Sequence, residues 1–267
     1  MIEINDQEFA RFQGFIFEAA GITLSDGKKA LVSGRLEKRL HHHRIKSFSE
    51  YFALLGKQKD PAEIQMAVDL LTTNETYFFR EAKHFELLRE LAQAAAKKGQ
   101  GMRVWSAACS SGEEVYSIAM VLDDVMGDRP WEIIGSDIST RVLRRARFGH
   151  YPIERTAHIP QPYLQRYCLK GTGVQAGTLL IQRALRERVQ FMQVNLDKPM
   201  PPKLGVFDLV FLRNVMIYFN PETKRQVVAR LVPQLKAGGH LLIGHSETLN
   251  DLSTAVKVVT PSVYVKL

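Results

Sequence analysis

The sequence holds two cysteines, Cys109 and Cys168, in 267 residues, which excludes a disulfide framework and points to a reducing compartment. No apolar run approaches the roughly 20 residues of a membrane span. The start Met1-Ile-Glu-Ile-Asn-Asp6 lacks the basic and apolar regions of a secretory signal. A cytoplasmic protein without membrane insertion is therefore expected. Strand-like alternation is missing from the first ninety or so residues, and a G-x-G-x-x-G loop is missing throughout. The first absence makes the N-terminal part wholly helical, and the second disfavours a dinucleotide.

With 45% hydrophobic and 24% charged residues, the chain can bury one large or two modest cores. Asp6-Gln-Glu-Phe9 is expected to cap a helix that carries Phe9, Phe12, Ile16 and Phe17 and ends at Gly21. A second helix, starting after Ser25-Asp26, presents Leu31, Val32, Leu36 and Leu40 inward and Arg35, Lys38, Arg39 and Arg44 to water. Ser47-Phe-Ser-Glu50 has capping-box spacing for a third helix, and Asp60-Pro61 opens a fourth. The triplet His41-His42-His43 reads as part of the basic face. Consecutive helical residues point about 100° apart, whereas paired helical ligands sit at i and i+4, so no metal is expected.

The most informative stretch is Arg103-Val-Trp-Ser-Ala-Ala-Cys-Ser-Ser-Gly-Glu-Glu-Val115. It reads as strand, tight loop and helix, with small residues that let a ligand approach the backbone and its free N–H groups. A second strand ends at Asp137, where an acid can accept both ribose hydroxyls of a nucleoside. Glu113 and Glu114 would oppose a pyrophosphate, but they tolerate the sulfonium and ammonium of S-adenosylmethionine. Strands are expected near 103–107, 132–136, 189–193, 207–212, 240–244 and 262–266, with helices near 113–126, 139–147 and 222–235. Between Gly149 and Arg188 this order is broken by prolines and by Lys170-Gly-Thr-Gly173, which reads as an inserted basic hairpin.

Further site candidates follow from strand ends. Asn195 can recognise adenine while Leu196 packs on its ring, and Arg213, Asn214 and Tyr218 follow a buried strand. In Thr72-Thr-Asn-Glu-Thr-Tyr-Phe-Phe-Arg-Glu81, Asn74 and Thr76 offer neutral hydrogen bonds and Arg80 a fixed cation. Charge is uneven. Residues 27–59 hold nine Lys/Arg against Glu37 and Glu50, and residues 141–188 hold ten against Glu154 and Glu187, so an anionic partner is expected.

These runs, with Ser136-Asp-Ile138, Phe211-Leu-Arg-Asn-Val-Met-Ile-Tyr-Phe219 and Gly244-His-Ser-Glu247, occur in an order that resembles the chemotaxis receptor glutamate methyltransferases of the CheR family. Cys109 and Val115 stand where close relatives are expected to carry Ala and Pro. The resemblance implies an α/β fold: a Rossmann-like S-adenosylmethionine-dependent methyltransferase sheet over 87–267, an N-terminal helical domain over 1–86, and a small inserted antiparallel β-subdomain at about 152–190. It implies cofactor contacts from Asn74, Thr76, Arg80, Glu114, Asp137, Asn195, Leu196, Arg213 and Asn214, with Arg80 and Tyr218 nearest the reacting methyl. It further implies receptor methylation helices as partners, met by Arg35, Lys38, Arg39 and Arg44. A receptor C-terminal tether would bind the subdomain near Gly171 and Gly173. The expected product is S-adenosylhomocysteine and the expected state a monomer.

Two other readings stand beside it. A nucleic-acid methyltransferase shares the fold, but Asn214-Val-Met-Ile-Tyr218 is not the Asn/Asp-Pro-Pro-aromatic clamp of base-methylating enzymes, and the basic segments lack stacking aromatics. A non-catalytic sensor of the cofactor would have little use for the full set of polar lining residues.

Overall fold

In the computed structural model, which describes residues 3–58, 60–250 and 252–267, three of the first four helices start at side-chain caps. Helix α1 (Asp6–Ala20) is capped by Asn5, whose side chain accepts the Glu8 N–H at 2.8 Å while Glu8 accepts the Asn5 N–H at 3.0 Å. Asp6 is thus the first helical residue and not the cap, because the acid that closes the box lies three residues after Asn5. Gly21 ends the helix at φ 69°, a conformation glycine adopts without strain. A short 3-10 turn leads into α2 (Lys29–His43), which buries Val32, Leu36 and Leu40 completely. Helices α3 (Phe48–Gln58) and α4 (Pro61–Leu71) complete the bundle, the latter capped by Asp60, which accepts the Ala62 N–H at 2.9 Å. At Ser47 the expected box is half made: Ser47 accepts the Glu50 N–H, but Glu50 reaches back to the Lys46 N–H.

These helices form one compact unit together with Tyr218–Lys224, where the Tyr218 carbonyl accepts the Thr23 N–H at 2.8 Å. Phe12 stacks on Tyr51 and meets Phe48 and Phe52 edge-on in its core. Each such fully buried aromatic contributes roughly 1.5–3 kcal/mol. A polar cluster lies beside it. Glu63 accepts the Tyr51 hydroxyl at 2.6 Å and a two-pronged grip from Arg39, with His43 Nε2 3.1 Å away. Burial pushes the Glu63 carboxyl up, but the hydrogen bonds from Arg39, Tyr51 and His43 outweigh it and bring the carboxyl down to about 2. Arg39 is therefore turned to Glu63 and not to water. Arg35 is likewise engaged, donating to the Leu71 and Thr72 carbonyls, so of the four expected docking cations only Lys38 and Arg44 are exposed.

The second unit comprises Asn74–Ile217 and Arg225–Leu267. Among its described residues, seven strands form a sheet in the order β6-β2-β1-β7-β8-β10-β9, from β1 (Met102–Ser106), β2 (Trp131–Asp137), β6 (Val189–Gln193), β7 (Phe207–Leu212), β8 (Leu235–Ile243), β9 (Val256–Thr260) and β10 (Val263–Lys266). The pairs from β6 to β8 are parallel, and β10 runs antiparallel to both neighbours. Strand β9 is absent from the sequence expectation, because Val258 and Val259 are each 54% exposed and break the inward alternation. Helices α5 (Lys83–Lys97), α6 (Glu113–Met126) and α7 (Thr140–Phe148) flank the sheet. Helix α10 (Pro221–Leu231) stops short of the expected 235 because Pro233 cannot continue the backbone ladder.

The break after α7 is a small antiparallel sheet, β3 (His150–Pro152), β5 (Thr178–Ile181) and β4 (Cys168–Lys170), with helices α8 (Gln161–Tyr167) and α9 (Arg183–Arg186) around it. The expected hairpin is thus three-stranded.

Replacing Arg39 by Ala leaves Glu63 buried without its cation and is expected to cost on the order of 3 kcal/mol in urea unfolding. The Glu63 pKa lies below its unfolded value, so its contribution is present above about pH 4.5 and is lost as pH falls toward 2. Glu63→Gln is expected to flatten that part of the stability profile, and an unchanged acid slope would contradict the assignment.

Candidate functional site

The parallel strands β1, β2, β6 and β7 bring their carboxyl ends to one edge of the sheet, and the order reverses between β1 and β7, the place where open sheets of this kind bind ligands. After β1 the chain turns through Ala107–Gly112 into α6. Gly112 takes φ 95°, and a Cβ there would stand 2.9 Å from that of Ala146, so glycine is required both by conformation and by space. Ser110 is also left-handed, at φ 48°. Its N–H donates to Asp137 Oδ2 at 2.9 Å and its hydroxyl to the Asn74 carbonyl at 3.0 Å, which ties the loop to β2 and to the segment before α5. The Ser139 N–H donates to the other Asp137 oxygen at 2.9 Å. Asp137 is thus fixed and buried at the end of β2.

The two acids that open α6 are not solvated first-turn carboxylates. Glu113 is completely buried, with Ser111 donating to one oxygen and Arg155 of the small sheet's flank 3.0 Å from the other. Glu114 accepts from the Ser106 hydroxyl at 2.7 Å and from Arg213 at 3.0 Å. Burial raises its carboxyl above the usual range, and Arg213 only partly offsets this. Such a carboxylate gains from further positive charge.

Arg213 is the hub. Its side chain is 2% exposed and its guanidinium lies between two acids, 3.0 Å from Glu114 and 3.1 Å from Glu81, while also donating to the Arg80 carbonyl. Its flat faces lie over Phe85 and Phe211. Burial pushes the Glu81 carboxyl up, but Arg213 and the His245 N–H bring it below its ordinary value. The neighbouring backbone is strained: Phe79, Glu81 and Asn214 have φ of 54°, 58° and 55°. Each such residue costs on the order of 1–3 kcal/mol and persists where surroundings impose it. For Asn214 the imposing group is Glu247, whose carboxylate accepts the N–H groups of Asn214 (2.8 Å), Gly244 (2.7 Å) and Ile217 (3.3 Å). A Cβ on Gly244 would overlap the Asn214 amide.

Of the expected cofactor residues, Asn74 and Asp137 are thus joined through Ser110, and Glu114, Arg213 and Asn214 are joined through Arg213 and Glu81. Arg80 sits on an irregular segment before α5, with its guanidinium over Tyr77 and donating to the Glu75 carbonyl at 3.3 Å; Thr76 lies half-buried in the same segment. Asn195 falls two residues beyond the end of β6, in a turn where its side chain accepts the Asp197 N–H, and Leu196 is buried beside it. The strand itself spans the expected 189–193, so Asn195 lies just past its end. Tyr218 closes a 3-10 turn, Met216–Tyr218, and belongs to the helical unit. Gly171 follows β4, where a side chain would collide with the Gln175 carbonyl, and Gly173 takes φ 56°. Sequence reasoning missed Glu81 and Glu247 as supports. Both sit in motifs it singled out, but their partners are distant in sequence.

Two family descriptions match the chain: "CheR methyltransferase, SAM binding domain" over residues 74–265 and "CheR methyltransferase, all-alpha domain" over residues 7–72. Chemotaxis protein methyltransferase 2 of Pseudomonas aeruginosa is 42% identical over 260 residues, spanning 97% of this chain and 92% of the relative. The chemotaxis protein methyltransferase of Escherichia coli is 40% identical over 265 residues, spanning 98% and 92%. That of Borreliella burgdorferi is 35% identical over 275 residues, spanning 99% and 96%.

Arg213→Met is expected to destabilise the fold by about 3–5 kcal/mol, because it strands two buried carboxylates. Adding Glu81→Gln and Glu114→Gln is expected to recover part of that stability but not the affinity for S-adenosylhomocysteine. Urea unfolding and calorimetric titration separate the two effects, and full recovery of both would contradict a binding role for the hub.

Proposed function

Because the chain belongs to the CheR methyltransferase family, we propose that it methylates glutamate side-chain carboxylates of chemoreceptors, forming the methyl esters of sensory adaptation. The enzyme is an S-adenosylmethionine-dependent methyltransferase. The observation that carries the choice of substrate is the near full-length match to chemotaxis methyltransferases.

The donor set fits the cofactor. Asp137, fixed by two backbone N–H groups, suits the ribose hydroxyls, and Asn195 and Leu196 suit the adenine. Glu114, a buried acid with a raised pKa, suits a cationic amino-acid portion, and Asn74, Thr76, Arg213 and Asn214 complete the lining. When bound, S-adenosylmethionine supplies an electrophilic methyl on a sulfonium. The residues have little proton chemistry to do. A glutamate acceptor, with an ordinary pKa of about 4.3, is ionised at neutral pH and needs no general base. Alignment alone can contribute on the order of 7–11 kcal/mol in favourable cases. In this reading Arg80 steadies the cofactor and Tyr218 orients the acceptor carboxylate.

Docking follows from charge. Lys38 and Arg44, exposed on and just after α2, form a basic face suited to glutamate-rich helices, whereas Arg35 and Arg39 are held by the Leu71 and Thr72 carbonyls and by Glu63. A receptor C-terminal tether fits the small sheet. A groove of about 700 Å³ there is lined by Arg145, His150, Lys170, Gly171 and Arg186 among others, beside the edge strand β4 with its half-exposed Leu169. An extended acidic peptide could add a strand to that edge.

Mass spectrometry of proteolysed receptor, incubated with enzyme and cofactor, is expected to find methyl esters on glutamates. Tyr218→Phe is expected to lower kcat on the order of 100-fold with cofactor affinity unchanged. Lys38→Glu is expected to raise the KM for receptor roughly 2–5-fold at low salt, with kcat retained. Parent kinetics in Tyr218→Phe would remove that residue's role.

A further inference from the structure

Beside the hub, Glu81, His84 and His245 each offer one ligand atom, and the three atoms lie within 4.8 Å of one another. His84 Nδ1 lies 3.4 Å from Glu81 Oε2, and His245 Nε2 lies 3.9 Å from the same oxygen. Tetrahedral zinc with bonds of about 2.0–2.2 Å spaces its ligands by roughly 3.3–3.6 Å. The first of these His–Glu separations matches that spacing and the second is slightly above it, before any ion enters.

A second observation points the same way. His84 is 2% exposed, and its Nδ1 makes no hydrogen bond although Glu81 is near, because the contact is too far out of line. Its other nitrogen, Nε2, meets the Ser262 hydroxyl at 2.9 Å. In the tautomer in which Nε2–H donates to Ser262, the buried Nδ1 lone pair faces a carboxylate, so two acceptors confront each other. A cation between them resolves that conflict, and the Ser262 contact is the kind of outer support that orients a metal-binding imidazole.

We propose that Glu81 Oε2, His84 Nδ1 and His245 Nε2 form a site for a zinc-type divalent cation, with the fourth position open to solvent beside the half-exposed His245. Two imidazoles and one carboxylate suit zinc or cobalt better than magnesium or calcium, which take oxygen ligands. Glu81 Oε2 also pairs with Arg213, so the cation enters in competition with that guanidinium. This keeps the site exchangeable, in contrast to a structural zinc that the fold would need. No step of methyl transfer passes through it.

The test is titration of the chelator-treated full chain with Zn²⁺ by calorimetry and with Co²⁺ by visible absorption. One equivalent of each is expected to bind, with the intense d–d bands of four-coordinate cobalt. His245→Ala, at an exposed position that leaves folding intact, and Glu81→Gln are each expected to weaken binding at least 10-fold. His41→Ala/His42→Ala and Cys168→Ser are expected to bind as the parent does. Absence of the bands, parent affinity in His245→Ala, or loss of binding in either control would overturn the proposal.

Discussion

The structure of the second unit depends on one buried guanidinium. Arg213 neutralises Glu81 and Glu114, donates to the Arg80 carbonyl, and lies against Phe85 and Phe211. Desolvating a single charge costs several kcal/mol, so the arrangement is tolerable only because the geometry is closed on every side. Its consequence is positional. The segment bearing Arg80, the start of α6 and the turn after β7 are held to one another by charge as well as by packing. The strain at Glu81 and Asn214 is the accompanying cost, balanced by Glu247 gathering three backbone N–H groups.

The two Arg213 partners differ in an instructive way. Glu81 has the guanidinium and a backbone N–H and ends below its ordinary pKa, whereas Glu114 has the same guanidinium but more desolvation and ends above it. The shared cation lowers both, so it is the more desolvated Glu114 to which a positively charged ligand is most useful. The helical unit uses the same physics for a different end. Its Glu63 is overcompensated by Arg39, Tyr51 and His43, so that cluster is satisfied from within and serves stability.

Much of this is legible in the sequence where the cause is local. Gly21, Gly112 and Gly149 mark helix boundaries because each takes a left-handed conformation, and Asp60-Pro61 opens a helix because its cap lies two residues from its donor. The parallel strands are legible because both faces are buried, giving continuous apolar runs. The cradle is legible because small residues and a following helix start are adjacent in the chain. What escapes is what long-range contact decides. Arg39 reads as solvent-facing until α4 places Glu63 beside it, and Glu81 reads as one more polar residue until Arg213 is brought to it. Strand β9 escapes because two of its three valines, Val258 and Val259, are exposed, which leaves no alternation to read.

The account rests on a carboxylate as the methyl acceptor. Incubation with methyl-labelled S-adenosylmethionine and receptor-containing membranes, followed by base treatment, tests this most directly, because carboxyl methyl esters release volatile methanol under base while methylated amines and nucleobases do not. Receptor-dependent volatile label is the predicted result. Label that stays bound after base, or cofactor binding without transfer, would contradict it.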